Sequence, residues 1–188
     1  KVKNSLIKEP LKKIEIGIVI KQDTLEKAVK FAYLGLGSNL GNRIDNIRRA
    51  KNQLYLNDIE IVKSSSYYES LSWPNKNNPK FINVVFKIKT SLDFKQLLKI
   101  CKKIEKLLGR RKSPKNSPRE CDIDIIDFNN MINSVGVKLP HPRMHKRNFV
   151  LFPLFEINKN WKHPVLKNHI KSLILSLSNK DIRSIKQI

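Results

Sequence analysis

The residues of this chain best placed to do chemistry are two carboxylates set one residue apart in an apolar, β-branched run. In SPKNSPRECDIDIIDF (residues 113–128), Asp122 and Asp124 follow a cluster of cations. Residues i and i+2 of a strand point to one face, so Asp122 and Asp124 project together while Cys121, Ile123 and Ile125 project the other way. Like charges held that close repel. A hard divalent cation between them, with guanidinium groups nearby, is one way to hold a polyphosphate. The solvated face of an edge strand has the same spacing, and a lone D-x-D does not choose between the two.

The surrounding cations favour anionic oxygen chemistry. Arg110, Arg111, Lys112, Lys115 and Arg119 could act as charge clamps, and His141, Arg143 and Arg147 form a second polar cluster. Phosphoryl-type transfer asks mainly for alignment and for neutralisation of spreading oxygen charge, which such groups supply. Familiar phosphate devices are missing: there is no G-x-x-x-x-G-K-[ST], and Gly35, Gly37 and Gly41 do not fit G-x-G-x-x-G. His141 and His145 have the i, i+4 spacing of zinc ligands, but Pro142 argues against the helix that spacing requires.

The elements that must position these groups follow from periodicity. An apolar run over 14–20 reads as one or two strands, 23–30 as a connector, and a domain boundary falls near Lys30. Residues 31–37 read as a strand ending in glycines. Ser38 or Asn42 can cap a helix through about Tyr55, with Ile44, Ile47, Ala50 and Leu54 at helical spacing. Residues 59–70 are strand-like and lead into a Pro- and Asn-rich loop, 71–80, that holds Trp73. Residues 81–90 alternate as a strand. The clearest helix spans 93–108, where Phe94, Leu97, Leu98, Cys101, Ile104 and Leu108 form one stripe and Gly109 ends it. After the D-x-D strand come a turn at Asn129 and Asn130, a helix over 148–157 interrupted or ended around Pro153, and a last helix over 169–177. From residue 31 the order is β, α, β, β, α, β. That order predicts an α+β, ferredoxin-like antiparallel sheet with helices on one face, the opposite face free for a site, and long loops around it.

Composition bounds the rest. At 188 residues the chain holds one domain plus an appendage, here 31–188 and 1–30. With 40% hydrophobic and 29% charged residues it reads as globular, and no apolar run approaches the roughly 18 residues of a membrane span. The chain opens on Lys1 without a secretory segment, so a partial or processed chain that is not secreted is expected. Cys101 and Cys121 make a poor disulfide framework, which fits a reducing compartment, the cytoplasm. The net charge of +22 raises nucleic acid, an anionic membrane or a polyphosphate as partners. The excess is mostly Lys spread along the chain with abundant Asn and Ile, a pattern that A/T-rich codon drift also gives. No basic arm, zinc-finger spacing or RNP-like aromatic motif is present, which speaks against a nucleic-acid partner.

The blocks AYLGLGSNLGNR (32–43), SSSYYES (64–70), PKFIN (79–83), IEKLLGR (104–110), SPRECDIDI (117–125) and LPHPRMHKRNFVLFPLFEI (139–157) together resemble the 6-hydroxymethyl-7,8-dihydropterin pyrophosphokinases of folate biosynthesis. The resemblance covers about residues 31–177. It implies a ferredoxin-like fold and transfer of pyrophosphate from ATP, the co-substrate, to the hydroxymethyl group of the pterin, releasing AMP. Asp122 and Asp124 would be ligands of two Mg²⁺ ions that bridge the ATP phosphates, with Arg110 and Arg119 on the phosphates and sharing in catalysis. Asn83 would pair with the pterin edge. Phe149, with Phe81 or Trp73 nearby, would stack on its ring, and Leu36, Gly37 and residues 68–73, Ser70 and Ser72 among them, would wall the pocket. Glu105 would lie near the ATP site, and His141 and Arg147 would complete the phosphate and nucleoside contacts. Asn116 stands where the family commonly has Trp, Pro142 where an aromatic often follows the His, and Ser72 where Pro is frequent. These departures bear on substrate affinity more than on the reaction. Residues 1–22 faintly resemble the last strands of dihydroneopterin aldolase, which would make a fused folate-pathway domain the preceding neighbour.

Overall fold

The computed structural model describes residues 29–111, 113–114 and 116–188. The strands expected within 1–22, the connector as far as 28, and the clamps Lys112 and Lys115 lie outside the described residues.

Alternation sorts the side chains of three strands onto two faces. The elements run β1 (Lys30–Ser38), α1 (Arg43–Tyr55), β2 (Glu60–Ser64), β3 (Tyr68–Ser70), β4 (Phe81–Thr90), α2 (Phe94–Leu107), β5 (Asp122–Phe128), a 3-10 turn (Met144–Lys146), α3 (Asn148–Ile157), α4 (Ile170–Leu175), α5 (Asn179–Arg183) and β6 (Lys186–Gln187). The sheet is antiparallel in the order β5-β1-β4-β3-β6, with β2 also on β4. This is the α+β order read from the sequence. Leu34 and Leu36 of β1, Val84 and Phe86 of β4, and Ile123 and Ile125 of β5 point to one face and pack against Ile47 and Leu54 of α1 and Leu97, Cys101 and Ile104 of α2.

Both frame helices are capped as their sequences allow. Asn42, not Ser38, caps α1, accepting the Asp45 N–H at 3.2 Å. Asp93 accepts the Lys95 and Gln96 N–H groups at 2.8 Å each, and Gln96 returns a bond from the Asp93 N–H, a reciprocal box that fixes where α2 starts.

Four features differ from the expectation, the first being that α4 is not the last helix: α5 and the two-residue strand β6 follow it, both too short to show a period. The single strand over 59–70 is two, because Ser65 Oγ takes the Val85 N–H that an unbroken ladder would use, and β2 and β3 meet β4 on either side of it. The helix over 148–157 does not stop at Pro153. Its Val150, Leu151, Pro153, Leu154 and Ile157 are buried, and that burial outweighs the hydrogen bond proline removes. The face opposite α1 and α2 is not bare. There α3 and α4 pack on Tyr33, Val85 and Ile126, so helices lie on both faces and only part of the second face stays open. A bulge sets this boundary: Leu34 pairs with Ile125 and Tyr33 with Asp127, leaving Ile126 as the extra residue. Beyond it, Asp127 accepts the Trp161 indole N–H at 2.8 Å. No helix among the described residues is long and apolar enough to cross a membrane.

Candidate active site

On the open part of the second face, β1, β4 and β5 present backbone and short polar side chains to a cavity of about 450 Å³. Its floor is Gly35 and Gly37 of β1, Asn83 of β4, and Asp122 and Asp124 of β5, and its rim includes Trp73, Arg119, Arg143, Arg147 and Phe149. The strand alternation read from the sequence therefore holds: the two carboxylates face the cavity and Cys121, Ile123 and Ile125 are buried in the core. Six cationic side chains line the cavity against two carboxylates, an excess suited to a polyanion rather than to a single phosphate.

The two carboxylates have different surroundings. Asp122 Oδ1 is 2.6 Å from Arg110 Nη1 and Oδ2 is 2.9 Å from Arg119 Nη2. Burial works against its charge, but Arg119 and Arg110 override it and hold the carboxyl below the usual carboxylate range. Asp124 is more open, 39% exposed, with His141 Nε2 at 3.8 Å and Arg147 Nη1 at 3.7 Å from Oδ2. Burial keeps His141 below the ordinary imidazole range despite Asp124, with Arg147 and Arg143 adding to the effect. Its Nδ1 accepts the Arg143 N–H at 3.2 Å, so the neutral ring carries its proton on Nε2. Burial likewise lowers Arg147, partly offset by Asp124.

A magnesium ion fits this donor set. Both carboxylates offer hard oxygens to one cavity, the donor type such an ion prefers, and Asp122 and Asp124 would hold it there. No group of three or more His, Cys, Asp or Glu able to hold a metal exists among the described residues. His145 turns away, its ring packed edge-on against His163 at 5.7 Å.

At the other end the cavity suits a flat heterocycle. Asn83 Nδ2 donates to the Tyr68 carbonyl at 3.2 Å and to Ser70 Oγ at 3.0 Å. A flipped amide would set two oxygens against each other at Tyr68, so Oδ1 is the atom left for a ligand. Gly37 keeps this corner open, since a Cβ there would come to 3.2 Å from Asn83 Oδ1 and from the Phe81 ring and push on both. Each aromatic wall carries a guanidinium: Arg119 over Phe81 at 5.6 Å, Arg143 and Arg147 over Trp73 at 5.1 and 5.4 Å, and Arg147 over Phe149 at 5.4 Å. Aromatic faces alternating with cations suit a planar ring joined to phosphate.

Of the site residues expected from sequence, Leu36, Gly37, Ser70, Trp73, Phe81, Asn83, Arg110, Arg119, Asp122, Asp124, His141, Arg147 and Phe149 all line this cavity. Two are corrected. Ser72 is turned inward, donating to the Pro79 carbonyl at 2.5 Å, and serves the loop instead of the pocket wall. Glu105 is 1% exposed and lies behind the wall, accepting the Ile123 N–H at 2.7 Å and pairing with Lys102 and Arg110 at 2.6 Å each. Burial pushes its carboxyl up, against the pull of Lys102 and the Ile123 N–H.

Two residues were missed. Lys102 reaches the cavity while tethered to Glu105, and its only sequence signal was the i, i+3 charge pair. Asn39 is buried and ties two loops together. It accepts the Arg119 N–H at 2.8 Å and donates to the Pro79 carbonyl at 3.1 Å and Ser72 Oγ at 3.3 Å. Nothing in the local pattern distinguishes it from a loop asparagine.

A protein-family model described as 7,8-dihydro-6-hydroxymethylpterin-pyrophosphokinase matches residues 33–159. The chain is 44% identical over 140 residues to the 2-amino-4-hydroxy-6-hydroxymethyldihydropteridine pyrophosphokinase of Aquifex aeolicus, covering 74% of this chain and 87% of that protein. It is 40% identical over 128 residues to the Bacillus subtilis protein of the same description, covering 67% and 77%. It is 41% identical over 154 residues to the folic acid synthesis protein of Pneumocystis carinii, and there it covers 81% of itself but only 21% of the relative. Among solved structures, wild-type Plasmodium falciparum HPPK-DHPS superposes with a TM-score of 0.65 at 18% identity, over 86% of this chain and 44% of that one. At that identity it speaks to the fold alone, and the chain spans less than half of it.

Proposed function

The chain belongs to the 7,8-dihydro-6-hydroxymethylpterin-pyrophosphokinase family, and from that footing we propose that its cavity transfers pyrophosphate from ATP to 6-hydroxymethyl-7,8-dihydropterin, releasing AMP. The observation that carries the assignment of the site is the pair Asp122 and Asp124 facing a cavity ringed by guanidinium groups, with Asn83 and aromatic walls at its other end.

The products define the bonds. Release of AMP with transfer of the β- and γ-phosphates means that the pterin hydroxymethyl oxygen bonds to the β-phosphorus while the bond from that phosphorus to the α,β-bridging oxygen breaks. The bridging oxygen leaves with AMP, and the proton of the alcohol passes to solvent. Such a step is governed by in-line alignment and by neutralisation of charge on the transferred oxygens. Asn83 Oδ1 accepts from the pterin edge while Phe149, Phe81 and Trp73 bound its faces, which fixes where the hydroxymethyl oxygen points. Arg110, Arg119 and Arg147 neutralise the polyphosphate, and the neutral His141 ring donates a hydrogen bond to it from Nε2–H. Asp122 and Asp124 would hold Mg²⁺, and when bound it supplies further neutralisation of the phosphate oxygens.

We read residues 31–188 as the catalytic domain. The length of the Pneumocystis relative, and the Arabidopsis thaliana relative described as a folate synthesis bifunctional protein, favour a folate-pathway domain fused to this one. Burial pushes the thiols of Cys101 and Cys121 up to about 12, so they stay protonated and unreactive; both are free, and on that ground we assign the protein to a reducing compartment, the cytoplasm.

The test is product analysis with ATP, Mg²⁺ and the pterin alcohol. AMP should form in step with pterin pyrophosphate. ADP as the product, or no pterin-dependent AMP from folded protein, would overturn the assignment.

A further inference from the structure

Glu105 touches nothing in the cavity, yet it is the most heavily tied carboxylate around it. One oxygen takes the Ile123 N–H at 2.7 Å and Lys102 Nζ at 2.6 Å, and the other takes Arg110 Nη1 at 2.6 Å. Ile123 lies between Asp122 and Asp124, so Glu105 is fixed to the peptide that carries both. The same Arg110 Nη1 is 2.6 Å from Asp122 Oδ1, so one nitrogen bridges a buried carboxylate and a cavity carboxylate. Partial burial opposes the charge on Arg110, but Asp122 and Glu105 together hold it above its ordinary value.

In this arrangement both oxygens of Asp122 are covered by guanidinium groups, Arg110 on one and Arg119 on the other. A cation bound at Asp122 must either share its oxygens with these guanidinium groups or displace one of them, and displacement relieves the crowding of like charge beside the ion. The two arginines are not equivalent in what they would keep. Arg119 has the Ser117 carbonyl at 3.3 Å and the Phe81 ring. Arg110 has Glu105, a partner buried behind the wall and held there by the Ile123 N–H. Resting on the pyrophosphokinase reading above, we propose that Glu105 is a positioning residue that anchors Arg110 at the cavity wall, so that Arg110 exchanges Asp122 for a phosphate of the nucleotide without leaving the site. Without the anchor, Arg110 closes fully onto Asp122 and competes with the metal-bound nucleotide for it.

The exchange predicts non-additivity. Binding of a non-hydrolysable ATP analogue in the presence of Mg²⁺ is measured by calorimetry on the wild type, Glu105→Gln, Arg110→Ala and the double variant, with urea unfolding as the check on fold. The glutamine keeps an oxygen for the Ile123 N–H and removes only the charge. Glu105→Gln should weaken the analogue about tenfold or more in the wild type, the scale of a charge-assisted hydrogen bond. In the Arg110→Ala background it should have no further effect beyond about twofold. An equal loss in both backgrounds, or no loss in the wild type, overturns the proposal. A crystal structure of the unmodified protein with Mg²⁺ and the analogue tests it without any variant. Arg110 should remain bonded to Glu105 and be parted from Asp122, and the reverse pattern contradicts the anchor. Wild-type protein that binds no magnesium nucleotide at all removes the pyrophosphokinase reading itself, and this role with it.

Discussion

At the scale of single residues, the site works by giving each polar group one job its neighbours enforce. Asn83 shows this most plainly. Its Nδ2 is committed to Tyr68 and Ser70, which leaves Oδ1 as a lone acceptor aimed into the cavity. Asn83→Asp places a carboxylate against the Tyr68 carbonyl and should cost about 1–3 kcal/mol of stability by urea unfolding, with loss of pterin binding, because a buried carbonyl loses its donor. Retained pterin affinity in that variant would remove Asn83 from the pocket. Trp73 gives a second check, since it is 47% exposed on the cavity rim while the other tryptophan, Trp161, is buried. Substrate addition should change the intrinsic fluorescence, and Trp73→Phe should abolish that change while Trp161 continues to report folding.

At the scale of elements, α2 and β5 act as one unit. The apolar stripe of α2 seats it under the sheet, and its buried Glu105 holds the β5 peptide that carries both acids. The Asp93 cap sets where α2 begins, so Asp93→Ala should cost about 1 kcal/mol, while Leu97→Ala, fully buried, should cost about 2–5 kcal/mol, both measured by urea unfolding. A larger loss at Asp93 than at Leu97 would contradict this division. These two elements were legible in the sequence because their periods are unbroken: 3.6 along α2 and 2 along β5 up to the bulge. What escaped was non-periodic. The break at Ser65 depends on a hydroxyl finding Val85, α3 passes Pro153 because of what it packs against, and α5 and β6 are too short to have a period. Glu105 was legible as near the site but not as buried behind it. Its depth follows from how α2 leans on β5, which no local pattern records.

At the scale of the whole molecule, charge and burial set how the protein responds to pH. His145 and His163 pack edge-on, and burial holds both below the ordinary imidazole range. His163 Nδ1 also accepts the N–H groups of Val165 and Leu166 at 3.2 and 3.1 Å, bonds that protonation there would break. The unfolded chain takes up these protons near pH 6.5 and the folded protein only at lower pH, so stability rises with pH across that interval and falls as the medium is acidified through it. Asp122, held below the usual carboxylate range, stays ionised throughout and adds nothing to the slope. The urea midpoint at pH 5.5 should therefore lie below that at pH 7.5, and an equal or higher value would contradict this origin. The net charge of +22 gains a partial explanation, since a cluster of it rings one cavity opposite two carboxylates. That ring and that acidic pair are the heart of the account, and single-turnover conversion of ATP and pterin by Asp122→Ala and Asp124→Ala probes them most directly. Folded variants with rates reduced by several orders of magnitude are expected, each ~1.4 kcal/mol of lost transition-state stabilisation being tenfold. Folded variants that turn over near the wild-type rate would contradict it.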